Sequence, residues 1–229
     1  MKYTQPIYIA FFTIAFISLL VALFFEKQDL LYVYPFTFIA IAIAYVMERK
    51  KRISITFLSA LFFGLCGGIF LILDFKEAIP MISICISIFY LLYLRLMYLK
   101  NERKKAHGKT YVSLLFIFIP VLYIYDRVFC LVYEEIHNGF VYFTVMAVCM
   151  LVYIMAAIYY YLRTKNQSNL WMLITAVNLG IMNIIVIINE LYVYERIFTV
   201  MAIFCSNLML FFSIKFMLEE DTNVLTEVV

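Results

Sequence analysis

The 229-residue chain is 66% hydrophobic and 14% charged, with a formal net charge of +3. Soluble domains carry roughly 25% charged residues, so a water-facing globule is excluded. The modest positive charge sits in short loops between apolar runs and gives no reason to expect a nucleic-acid partner. The runs themselves approach the ~20 residues that cross about 30 Å of hydrocarbon, and they are continuously apolar rather than alternating, which excludes a β-barrel and leaves helices.

Cutting the chain at its charge clusters gives eight candidate spans: Pro6 to Phe25, Leu30 to Met47, Ile53 to Leu73, Ala78 to Leu99, Tyr111 to Tyr133, Gly139 to Leu162, Leu170 to Ile188 and Ile197 to Leu218. The expected fold class is all-α, a polytopic membrane helix bundle forming one domain over 1–218, followed by a short acidic cytoplasmic tail over 219–229. The first run lacks a small-residue cleavage site before Glu26 and reads as a retained span rather than a signal peptide. The fifth is the weakest, because Pro120 and the adjacent Asp126 and Arg127 interrupt it.

Loop charge sets the orientation. Lys2 and the loops Glu48 to Arg52, Lys100 to Lys109 and Arg163 to Asn169 hold twelve basic residues, whereas the alternate loops hold only Lys27, Lys76 and Arg196. That bias places both termini in the cytoplasm and supports an even number of spans over a seven-span model that pushes part of the fifth out of the membrane. Tyrosines near span ends, among them Tyr32, Tyr34, Tyr159, Tyr160, Tyr161, Tyr192 and Tyr194, suit an interfacial belt. The five cysteines all fall in apolar runs and read as small core residues. His107 and His137 have no helix-spaced ligand partner, so no metal is expected, and no nucleotide or other cofactor motif is present.

Polar groups inside spans are expensive in hydrocarbon and therefore informative. Arg95 and Lys215 lie close enough to span ends to snorkel, though Arg95 is also a pocket candidate. Lys215 has no carboxylate-rich third span to support a retinal-type reading. Asp126 and Arg127 point to different sides of a helix, which favours partners on other helices over mutual pairing; equally, the pair can mark an exit to the surface. Span seven carries Asn178, Asn183, Asn189 and Glu190; the seven-residue step from Asn183 to Glu190 puts both on one face, expected to look into the bundle. Span eight adds Ser206 and Asn207. These groups are expected either to bond neighbouring helices or to line a polar cavity for a lipid head group or small polar ligand. In span three, Gly64, Gly67 and Gly68 allow a helix or ligand to approach the backbone closely.

In span count, short cytoplasmic loops and order of motifs, the chain resembles the YhhN family of membrane proteins, whose characterised members are lysoplasmalogenases. The likeness covers most of the chain. LITAVNLGIMNIIVIINEL is similar to that family's Ser-Asp run, with Met182 and Asn183 at those two positions. ALFFGLCGGIFLIL resembles its Gly-Asp segment, with Gly67 kept and Gly68 in place of the aspartate. Tyr34, Pro35 and Phe36 stand for Lys-Pro-Leu; LRLMY puts Arg95 in place of a histidine and keeps Tyr98; Ser206 and Asn207 stand where Ala-Gln is usual.

The resemblance implies a multi-pass protein of the bacterial inner membrane that hydrolyses the vinyl ether of a lysolipid. That reaction needs a proton delivered to carbon and a water directed at the oxocarbenium ion, work for two carboxyls. Gly68 and Asn183 cannot supply them. The catalytic candidates are therefore Asn183 by position, with Glu190 and Asp74 as relocated carboxylates, and Gly67, Gly68, Arg95, Tyr98, Asn178 and Asn207 are pocket candidates. The alternative is a non-catalytic member that binds a lipid in the same cavity. A transporter would need more evidence of broken helices than Gly67, Gly68 and Pro120 provide.

Overall fold

A computed structural model describes residues 5–49, 52–101, 108–136 and 139–219. His107, His137 and the acidic tail beyond 219 lie outside those residues. Eight helices follow in order: α1 (Gln5–Phe24), α2 (Tyr34–Glu48), α3 (Ile55–Leu73), α4 (Phe75–Lys100), α5 (Gly108–Glu135), α6 (Phe140–Thr164), α7 (Gln167–Leu191) and α8 (Arg196–Leu218). Each lies in a segment long and apolar enough to cross a membrane, so the chain is a polytopic helical bundle.

The helix ends follow from local chemistry. Ser54, Asp74 and Asn166 cap α3, α4 and α7, their side chains accepting the backbone N–H of Phe57, Glu77 and Asn169. Lys165, at φ 47°, turns the chain out of α6 in the left-handed conformation. A 3-10 turn over Lys27–Tyr32 leads into α2, whose start is set by Pro35 in its first turn. Pro120 does not break α5, which runs on for 28 residues; a membrane helix tolerates the lost N–H where neighbouring groups compensate.

α3 and α4 form one close antiparallel pair and α7 and α8 another; α4 and α7 both pack on α6, and α1 lies against α2 and α8. α5 sits outside, mainly against α6. The core is aromatic: Tyr45 packs on Phe57 with ring centroids 4.7 Å apart, Phe89 on Tyr93 at 4.7 Å, and Tyr90 on Tyr153 at 5.4 Å. At the basic-loop face, Arg49 donates to the Met217 carbonyl at 2.6 Å, and Lys100 donates to the carbonyls of Phe216 and Glu219. These cations complement the negative end of the α8 dipole. Nearby, Asn101 and Asn169 exchange two amide bonds at 3.1 and 2.7 Å, joining α4 to α7.

Two expectations change and a third is narrowed. Tyr34 belongs to the core, not the interfacial belt, whereas Tyr32 is exposed; the 3-10 turn rotates the two onto opposite sides. Cys130 is exposed, while Cys205 is buried and Cys66, Cys85 and Cys149 are half-buried. Of the two readings of Asp126 and Arg127, partners on other helices are not found: both are exposed on α5, and among the described residues neither forms an ion pair with another helix.

Candidate functional site

The polar face of α7 does look inward, and it meets two adjoining spaces. Beneath the face opposite the basic loops, a vestibule of about 450 Å³ is bordered by Glu26, Lys27, Asp74, Glu190, Tyr194 and Arg196. Below it, between α2, α3, α4, α6, α7 and α8, lies an apolar cavity of about 70 Å³ whose polar lining comes from Tyr34, Asn183 and Ser206. Ile72 and Phe75 line both spaces, so the cavity roof is the vestibule floor.

In the vestibule, Lys27 Nζ donates to Glu190 Oε1 at 2.6 Å, and both side chains are largely sheltered, at 16% and 13% exposure. This pair ties the 3-10 turn to the end of α7. Asp74 caps α4 through Oδ1 at 3.2 Å from the Glu77 N–H. Glu26 is held by its own turn, its N–H donating to Asp29 Oδ2 at 3.1 Å. With Arg196 added, the vestibule presents cations and carboxylates together. The α7–α8 turn beside it is fixed by Asn189, whose amide donates to Thr199 Oγ1 at 3.1 Å and accepts the Glu195 N–H at 2.8 Å.

In the cavity, the glycines have a definite task. A Cβ on Gly68 would lie 2.5 Å from Tyr34 Cε1 and 2.7 Å from its hydroxyl, so the bare backbone of α3 is what admits the Tyr34 ring. That ring reaches across the bundle to Ser206, with 3.3 Å between the two hydroxyl oxygens. A Cβ on Gly67 would meet Ile86 Cδ1 at 2.5 Å. Asn183 donates to the Tyr90 hydroxyl at 3.0 Å and to the Leu179 carbonyl at 2.7 Å. Met146, Met182 and Met209 supply flexible apolar walls.

The sequence candidates therefore divide. Gly67, Gly68 and Asn183 line the cavity, and Asp74 and Glu190 share the vestibule. The other four pocket candidates line neither space. Arg95 and Tyr98 are exposed near the basic-loop end of α4, consistent with snorkelling rather than a pocket role for Arg95. Asn178 donates to the Ile174 carbonyl of its own helix at 2.8 Å. Asn207 faces α1, donating to Ser18 at 3.2 Å, because its position on α8 is one step of about 100° around from Ser206. Lys27, Tyr90 and the site role of Tyr34 escaped the sequence reading. Only Lys27 carried a signal, as a lone cation in a loop that charge bias left nearly empty.

Among the described residues no group of His, Cys, Asp and Glu side chains is placed to hold a metal. No protein-family model matches the chain, and neither curated proteins nor solved structures give a match.

Proposed function

We propose that this chain binds a single-chain amphiphile of the lysolipid class, its zwitterionic head group in the vestibule and the start of its hydrocarbon chain in the apolar cavity. The observation that carries this reading is the shared boundary at Ile72 and Phe75, which puts a mixed-charge chamber directly over an apolar one. Charges of both signs suit a zwitterion, with Arg196 offered to phosphate and Asp74 or Glu26 to an ammonium. The cavity is about half the ~150 Å³ of an engineered cavity that admits benzene. A longer chain therefore enters by displacing the methionine side chains that line it.

In this reading the chain is a divergent relative of the YhhN proteins in a bacterial cytoplasmic membrane, keeping the frame and not the chemistry. Tyr34 covers Gly68, where the resemblance expects an aspartate, and Asn183 spends its amide on Tyr90 and its own helix. One observation favours the catalytic reading: Asp74 and Glu190 border one vestibule. As a lysoplasmalogenase-like hydrolase, the chain would need one carboxyl to protonate the alkenyl carbon and the other to direct water to the oxocarbenium carbon. The resulting hemiacetal would then release aldehyde.

The test is to titrate detergent-purified protein with an alkenyl lysophospholipid while assaying free aldehyde, alongside an Asn183→Leu/Glu190→Gln double variant. Saturable binding without aldehyde is the expected result. Aldehyde from wild type alone would replace the binding reading with the hydrolase, and absence of saturable binding would remove both.

A further inference from the structure

The outlying helix carries the costliest residues in the bundle. No residue of α5 from 111 to 130 is buried, and Asp126 and Arg127 are both exposed there. α5 is about 42 Å long at 1.5 Å per residue, so Asp126 lies about 7 Å from its midpoint, inside a hydrocarbon core about 30 Å thick. An aspartate side chain is too short to reach the head groups from that depth, and charges in membrane helices almost always face protein or water-filled space. Arg127 is held close to the helix, its guanidinium 5.2 Å from the centre of the Tyr123 ring one turn back. Neither charge meets an opposite charge within the chain, among the described residues.

The exposed stripe has a regular period. Val112, Phe116, Ile119 and Tyr123 follow at alternating steps of four and three, and the exposed Cys130 continues the line seven residues beyond Tyr123, the spacing of a helix–helix seam. Arg127 lies about 100° around the helix from Asp126, and the line midway between them passes through Tyr123 and Cys130. A twofold axis along the membrane normal, placed on that line, carries each helix's arginine to the side on which the other's aspartate lies. Two neighbouring charges of opposite sign at one depth are thus self-complementary in the way an isologous interface requires.

We propose that α5 is the interface of a homodimer, in which Asp126 of each copy pairs with Arg127 of the other and the apolar stripe packs against itself. A second copy is the occupant that this charge pair specifies, because one surface supplies both halves of the match. The interface leaves the vestibule and cavity free, since neither contains an α5 residue, so it stands apart from the ligand reading.

The exposed Cys130, four residues beyond Asp126, is a built-in reporter. Wild-type full-length protein in nanodiscs is expected to have twice the monomer mass, and copper-phenanthroline oxidation in native membranes should form a disulfide between two Cys130 thiols that Cys130→Ala abolishes. Asp126→Arg places four cations at the seam and should cut the cross-linked fraction at least tenfold. The swap Asp126→Arg/Arg127→Asp should restore it, which separates a lost interface from a lost fold. A monomeric wild type, a dimer that does not cross-link at Cys130 or survives Asp126→Arg, or a well-folded swap variant that stays monomeric would overturn the proposal.

Discussion

Replacing Gly68 by alanine puts a Cβ 2.5 Å from Tyr34 Cε1 and 3.0 Å from Cζ. The ring cannot give way by a simple rotation, because Tyr34 is buried, lies in edge contact with Phe38 at 5.2 Å and meets Ser206 across the bundle. Overpacking of this kind costs about 1–3 kcal/mol, and the strained interhelical hydrogen bond averages about 0.6 kcal/mol in membrane proteins. Alanine returns about 1 kcal/mol of helix propensity, so the net loss is about 0.5–2.5 kcal/mol. For a chain of this size that corresponds to a melting point lower by about 4 °C, readable by differential scanning fluorimetry in detergent. Gly67→Ala should cost less, because its close contacts are with Cδ1 and Cγ1 of Ile86, a half-buried side chain that can change rotamer, and Gly108→Ala, with nothing within 4 Å, should be neutral. A Gly68→Ala protein as stable as wild type would refute the claim that Tyr34 rests on bare α3 backbone.

Two further outcomes follow from the polar contacts. Lys27→Met or Glu190→Gln breaks a sheltered ion pair and should cost about 1–3 kcal/mol, between the values for exposed and buried pairs. The charge-reversed double variant should recover part of that loss in a double-mutant cycle of melting free energies. Asn101→Ala and Asn169→Ala each remove both halves of the reciprocal amide pair. Their double variant should therefore lose less than the sum of the singles, by about 0.6–1.7 kcal/mol of coupling.

The eight spans were legible because hydropathy and loop charge are properties of whole segments, and the bilayer punishes any other reading. The Asn183 and Glu190 face was legible too, since a step of seven residues fixes two side chains to one side of a helix whatever surrounds them. Packing partners were not. Nothing local distinguishes Tyr34, which crosses the bundle, from Tyr32, which faces out; the difference is made by the 3-10 turn at Lys27–Tyr32 and by the space above Gly68, far along the chain. Arg95 and Asn207 illustrate the same limit: a polar residue in a span needs a partner, but sequence does not say whether that partner is a pocket, an interface or a neighbouring helix. Pro120 failed as a breaker because hydrocarbon offers an interrupted helix no alternative set of backbone bonds.

The central claim is that vestibule and cavity act as one amphiphile site. Ala202 lines the cavity and not the vestibule, so Ala202→Phe should fill the lower chamber and leave the upper one intact. The deciding measurement is the affinity of an alkenyl lysophospholipid for wild type and for this variant, with melting points confirming that both are folded. At least a tenfold weaker Kd in the variant is the predicted result; equal affinity in a folded variant would show that the hydrocarbon chain does not enter the cavity, and would contradict the account.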